Sequence, residues 1–296
     1  VFFMRVFVTG ASGWIGSAVV AELVSAGHHV VGLARCDASA DAVAAMGAQV
    51  LRGDLTDVEA LRRGAVDSEG VIHLAYQHHL GQIGGAESDG RAIETLTTVL
   101  AGTGKPFLVT GATLSVPGRA ATERDPLVAE GPIAARIRNM QAALAAADRE
   151  VRVALVMIPR SVHGRGERHG FIPQLVARAR EAGVSGYVGS GENRWPAVHV
   201  KDAAALYRLA LEKAPAGSVL HAVGDEGVAV REIAEAIGHG LALPARSLPA
   251  EQFGSPLAPL LGADMPASSA LTQKLLGWTP THPSLLADID QGHYFA

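Results

Sequence analysis

The sequence predicts an α/β protein: a doubly wound, mostly parallel sheet with helices on both faces and a smaller, interleaved C-terminal lobe. Three observations predict it. Short β-branched runs alternate with helical stretches through residues 1–160, a glycine-rich turn joins the first strand to the first helix, and after Pro159 the alternation loosens as Gly and Pro become frequent. An unbroken βαβα order requires right-handed crossovers, which align the strands and set helices on both sides of the sheet. The 296 residues suffice for one large α/β domain or for a domain with a smaller partner lobe.

The elements follow in order. Residues 5–9 read as the first strand. A helix spans 14–26, with Ile15, Val19 and Leu23 on one face and Gly27 placed for a left-handed C-terminal cap. Residues 29–34 and 49–51 are the second and third strands. The next helix begins at Thr56-Asp57-Val58-Glu59, a capping-box spacing in which the Thr and Glu side chains satisfy free amides. Residues 71–75 form a fourth strand, 87–101 a helix, 106–110 a fifth strand, 132–147 a helix and 151–158 a sixth strand. Strands near 197–201 and 219–223 are expected to return to this sheet. The second lobe is then built from 161–195 and 225–296.

Composition narrows the function classes. The net charge is -4 and the basic residues are scattered, which argues against nucleic acid or an anionic membrane as partner. A small molecule is the expected partner. The single cysteine, Cys36, leaves no intrachain disulfide and fits a reducing compartment. Residues 1–5 run straight into the strand pattern with no basic leader, so a cytoplasmic location is expected.

The first strand ends in Thr9-Gly10-Ala11-Ser12-Gly13-Trp14-Ile15-Gly16. Glycines at positions 10, 13 and 16 let the chain turn tightly, approach a pyrophosphate and pack helix against strand. The helix N-terminus then offers amide donors and the positive end of its dipole. Such a turn between a strand and an amphipathic helix marks a Rossmann dinucleotide domain. The second strand ends at Arg35, where an acidic residue would hold the ribose hydroxyl of NAD. A guanidinium there suits a 2′-phosphate, so NADP(H) is the expected cofactor. The alternatives are that Arg35 is a solvated surface residue, or that Asp37 holds a ribose.

These motifs, with Gly53-Asp54-Leu55-Thr56-Asp57, His73-Leu74-Ala75, Val162-His163-Gly164 and Trp195-Pro196-Ala197-Val198-His199-Val200-Lys201-Asp202, resemble those of the extended and atypical short-chain dehydrogenase/reductases (NAD(P)-dependent epimerase/dehydratase-like). The resemblance covers most of the chain. It implies that Asp54 and Leu55 flank the adenine and that Leu74, Ala75 and Tyr76 lie along the ribose and nicotinamide. It also implies that Thr110 sits near the nicotinamide. Asp54 could equally be a turn former ahead of its helix. The helices at 87–101 and 132–147 are similar to those forming a four-helix dimer interface in relatives, which implies a homodimer.

One expected part is missing. The family's Tyr-x-x-x-Lys pair has no counterpart, for Leu80, Gly191 and Leu211 follow Tyr76, Tyr187 and Tyr207 at that spacing, and the chain ends before it can follow Tyr294. Where the pair should stand the chain reads Gly131-Pro132-Ile133-Ala134-Ala135-Arg136. Arg136 can inherit the ribose-binding role of the Lys but cannot act as a base. Proton donors are therefore sought at the strand ends: Tyr76, His78 and His79 after the fourth strand and His163 after the sixth, while Thr113 and Ser115 after the fifth could hydrogen-bond a substrate carbonyl. The adjacent histidines lack metal-ligand spacing. The leading function is an NADP(H)-dependent oxidoreductase, a reductase of a small, fairly apolar carbonyl or unsaturated metabolite. The alternatives are an epimerase or dehydratase, and a non-catalytic NADP(H)-binding regulator.

Overall fold

The computed structural model describes residues 3–254 and 260–296. Strands β1 (Arg5–Thr9), β2 (His29–Ala34), β3 (Gln49–Arg52), β4 (Gly70–His73), β5 (Pro106–Ala112) and β6 (Arg152–Ile158) join a later strand, β10 (Ser218–His221), in one seven-stranded sheet. The order is β10-β6-β5-β4-β1-β2-β3 and every neighbouring pair is parallel. The order reverses beside β1, which leaves a crevice at the carboxyl ends of β1 and β4.

Both faces of the sheet are covered, so its strands are apolar throughout rather than alternating with polar residues. In β1, Phe7 packs with Leu61, Leu96 and Met140 from α3 (Val58–Val66), α4 (Gly81–Leu100) and α5 (Ala134–Leu144). Val6 and Val8 point the other way, to Val19 and Leu23 of α1 (Trp14–Ser25) and to Leu206 and Ala210 of α7 (Val200–Lys213). All of these side chains except Met140 are fully buried.

Several expectations need correction. A helix unforeseen between the second and third strands, α2 (Asp37–Ala45), supplies the crossover that parallel pairing demands. Helix α3 is capped by Asp57, whose carboxylate accepts from the Ala60 amide; the Thr56 hydroxyl is already held by Asp54. Helix α4 starts at Gly81, well before residue 87, despite four glycines along its length. Tertiary contact outweighs their low propensity: a Cβ on Gly85 would lie 2.8 Å from the Tyr76 ring, and one on Gly90 would lie 2.9 Å from Asn139.

The strand expected near 197–201 does not return to the main sheet. It is β9 (Arg194–His199), the centre of a three-stranded sheet between β7 (Ser161–His163) and β11 (Asp225–Ala229). Fully buried Trp195 commits it there, in a core with Ile172 of α6 (Phe171–Ala182), Ile233 of α8 (Val230–Leu241), and Leu285 and Ile289 of α10 (Leu285–Asp290). A parallel pair of β8 (Ser185–Tyr187) and β12 (Ala245–Ser247), and helix α9 (Ala270–Leu276), also belong to this part. Among the described residues, no helix is long and apolar enough to cross a membrane.

Candidate active site

A cleft of about 900 Å³ runs along the carboxyl ends of the central strands. Gly10, Ser12, Gly13, Trp14, Ile15 and Gly16 form one wall, with Arg35, Asp54 and Leu55 toward one end and Leu74, Ala75, Tyr76, His78, Thr110 and Arg136 toward the other. Thirteen positions of the glycine turn and the four strand ends that the sequence singled out for a cofactor therefore face one space.

The glycine turn fits an anionic group. Gly13 caps α1 with no side chain, and the first turn carries no acidic residue. The amides of Trp14, Ile15 and Gly16 thus meet the cleft without an intrahelical acceptor. Glycine is needed at two of these positions. A Cβ on Gly16 would lie 1.9 Å from the Gly10 carbonyl oxygen, and one on Gly10, which has φ +72°, would lie 2.7 Å from the Ala75 amide. Backbone can therefore pack against backbone where β1, β4 and α1 converge.

A buried polar chain fixes the strand ends beneath the cleft. Thr9 Oγ1 pairs with His73 Nδ1 at 2.8 Å, and His73 Nε2 pairs with Asp89 at 3.2 Å. Asn139 donates to the other Asp89 oxygen at 2.8 Å and to the Ala86 carbonyl at 2.7 Å. This links β1, β4, α4 and α5, the four elements that carry the turn, Tyr76 and Arg136. Thr110 Oγ1 meets the Tyr207 hydroxyl at 2.7 Å, tying β5 to α7.

At the inner end, the Arg136 guanidinium lies 4.6 Å from the centre of the half-buried Tyr76 ring. The Tyr76 hydroxyl donates to the Gln82 carbonyl at 3.3 Å, and the His78 ring sits 4.7 Å from the Tyr76 ring. Burial raises the Tyr76 pKa against the lowering effect of Arg136, so the phenol keeps its proton at neutral pH. Burial, aided by Arg136, pushes the His78 pKa down, which leaves that imidazole neutral.

At the outer end Arg35 is exposed, and among the described residues no carboxylate lies within 4.0 Å of it. Asp37 pairs instead with Arg52 and does not line the cleft. Asp54 does both things weighed for it. It lines the cleft, and it accepts bonds from the Thr56 hydroxyl and amide, both at 2.7 Å, which hold its carboxyl below the usual range.

Three of the candidate catalytic residues do not line the cleft: Thr113, His163, and Ser115, whose hydroxyl donates to the Asp264 carbonyl at 3.1 Å. Thr113 is buried, its amide bonded to the Ile158 carbonyl, and it does not line the cleft. His163 is fully buried with Nδ1 2.9 Å from Asp288 of α10, so it belongs to the interior of the second lobe. Conversely, Gly166, Arg168, His169 and Gly170 line the cleft and were not singled out. The charged run Arg165-Gly166-Glu167-Arg168-His169-Gly170, bounded by glycine just after a strand end, was their available signal. Within it Glu167 turns inward, accepting a 2.7 Å bond from the Tyr294 hydroxyl, which itself accepts from the Gly164 amide at 3.1 Å.

Comparison with known proteins places this architecture. The model of the NAD dependent epimerase/dehydratase family matches residues 6–222. The uncharacterized protein YLL056C of Saccharomyces cerevisiae is 44% identical, across 97% of this chain and 98% of its own. The 2-alkyl-3-oxoalkanoate reductase of Stenotrophomonas maltophilia is 28% identical across 73% of this chain and 67% of its own. A solved double mutant of DesIV, a dTDP-glucose 4,6-dehydratase from Streptomyces venezuelae with NAD bound, superposes with a TM-score of 0.80 at 20% identity, covering 99% of this chain and 97% of the other.

Proposed function

The chain belongs to the NAD-dependent epimerase/dehydratase family, and from that premise we propose that it is an NADP(H)-dependent reductase of a small, fairly apolar carbonyl or unsaturated metabolite. The observation that carries this reading is the Tyr76–Arg136 pair, set in the same cleft as the glycine turn. The pair stands in for the missing Tyr-x-x-x-Lys. A phenol from the β4 end and a cation from α5 converge in space where relatives of that pattern use one helix face.

The cleft would hold the cofactor, with the amides of Trp14, Ile15 and Gly16 taking its pyrophosphate and Arg35 its 2′-phosphate. Arg35 favours a phosphate because it has no carboxylate partner among the described residues, while the acid that would choose a ribose hydroxyl, Asp37, is held by Arg52. When bound, the nicotinamide supplies a hydride. Tyr76 gives its proton to the substrate oxygen, leaving a phenolate. Arg136, a permanent cation above the ring, stabilises that negative charge. Neutral His78 then carries a solvent proton back to Tyr76. The relative named as a 2-alkyl-3-oxoalkanoate reductase supports carbonyl reduction. By the same family likeness, α4 and α5 are assigned to a homodimer contact.

The test is NADPH oxidation across a panel of ketones, aldehydes and enones. The wild type should oxidise NADPH with at least one of them. Tyr76→Phe should lower kcat on that substrate by about 10²–10⁴-fold, the usual contribution of a positioned acid, with KM little changed. Silence across the panel despite NADPH binding would reject the reductase.

A further inference from the structure

Arg160 has no ion-pair partner for its charge among the described residues. It follows β6, and its guanidinium lies 5.2 Å from the Phe171 ring centre and 5.8 Å from that of Trp195. Nη2 points at the Met265 sulfur, and Nε is buried without a partner. Among the described residues no carboxylate comes within 4.0 Å, and the stretch 255–259, Ser-Pro-Leu-Ala-Pro, contains none. Burial alone pulls its pKa below the ordinary value, with no acid acting against it.

The two aromatic faces offset part of its desolvation, but a buried cation is ordinarily met by an anion or by hydrogen bonds as well. Two other half-buried arginines have polar partners. Arg208 meets Glu22 and Glu212, and Arg152 donates to the Leu211 and Ala214 carbonyls. Arg160 alone among these three is walled by two aromatic rings and a thioether. The indole it overlies carries a second buried orphan donor, Trp195 Nε1.

Position gives the unpaired charge a role. Ile158, two residues earlier, and Gly170, beside Phe171, both line the cleft. Arg160 itself is partly exposed. We infer that Arg160 is an anchor for a carboxylate on the substrate, so that the metabolite reduced is an amphipathic oxo acid. The inference rests on the reductase reading for the word reduced, and on the geometry of Arg160 alone for the anion. A carboxylate suits the site better than a phosphate does. One guanidinium offers a planar fork to a monoanion, and the apolar rings around it suit a short alkyl chain.

Binding can be tested without turnover. The melting temperature is followed against pyruvate, 4-oxopentanoate and 6-oxoheptanoate, which vary the spacing between carboxylate and ketone, against their methyl esters, and against sulfate. Each titration is run with and without NADPH. At least one acid should raise Tm saturably in the wild type while its ester does not. Arg160→Met should weaken that acid's binding at least about tenfold. Without ligand the variant should melt no lower than the wild type, since it loses an uncompensated buried charge. Arg160→Lys, which keeps the charge and removes the fork, should also bind the acid less well; it serves if the methionine variant does not fold.

Equal effects of acid and ester, protection that survives in both variants, or no protection by any of the acids would overturn the anchor. Protection by sulfate to the same extent would assign the site to another class of anion and overturn it too. A protein that binds an acid through Arg160 yet oxidises no NADPH would reject the reductase reading and leave the anchor standing.

Discussion

Glu167 shows how a single buried carboxyl ties the loop at 164–170 to the last residues of the chain. Burial pushes its pKa up from 4.5 to about 7, and the bond from Tyr294 only partly opposes this. The folded value lies above the unfolded one, so the native state binds the proton more tightly. The associated stability is fully present below about pH 4.5 and is lost as pH rises through about 7. A shift of this size is worth about 3 kcal/mol at most. Denaturant melts at several pH values should therefore show the wild type losing stability, relative to Glu167→Gln, between those limits. A constant difference across that range would show that Glu167 is not protonated in the fold. The same lobe explains the misplaced His163. Its strand-end position was plain from sequence, but its partner Asp288 lies 125 positions later, and no local pattern announces so distant a carboxylate. Tyr76 and Arg136 were each visible as candidates. Their pairing was not, because it depends on how α4 and α5 pack.

Among the elements, α4 bears most directly on the proposed role of Tyr76. Its glycines oppose helix formation, yet Gly85 is where the Tyr76 ring rests. In Gly85→Ala a Cβ would sit 2.8 Å from that ring, and the phenol would have to move. The substitution also removes a helical glycine, worth about 1 kcal/mol in favour of the helix. Stability and activity should consequently part: Tm unchanged or higher, kcat on the accepted carbonyl substrate lower by at least about tenfold. Parallel losses in both would mean that Gly85 serves the fold and not Tyr76. Elements with strong β-branched runs, β1, β2 and β6, were legible almost to the residue. The less legible ones owe their form to tertiary contact. Helix α2 is short and Ala-rich, the glycine-rich first turn of α4 is stabilised by Tyr76 and the buried polar chain, and β9 is drawn to a second sheet by Trp195.

Across the whole molecule, the parallel order around β1 creates the crevice, and the second lobe closes it from the far side. Trp14 joins the two parts, since its indole donates to the Val162 carbonyl at 2.7 Å from the very helix whose first amides are proposed to hold the pyrophosphate. The glycine turn made the dinucleotide end readable from sequence. The substrate end was less readable because its walls come from segments far apart in the chain, including 166–170 and Arg160. If α4 and α5 meet those of a second copy, sedimentation equilibrium should give the mass of two chains; one chain at micromolar concentration would remove the dimer. The central claim, a cleft built for NADP(H), is tested most directly by calorimetric titration of the purified protein with NADPH, NADP, NADH and NAD. The phosphorylated pair should bind more tightly, and Arg35→Ala should lower their affinity by about 10–100-fold while leaving NADH and NAD nearly unchanged. Equal affinity for all four, or no loss in Arg35→Ala, would contradict the claim.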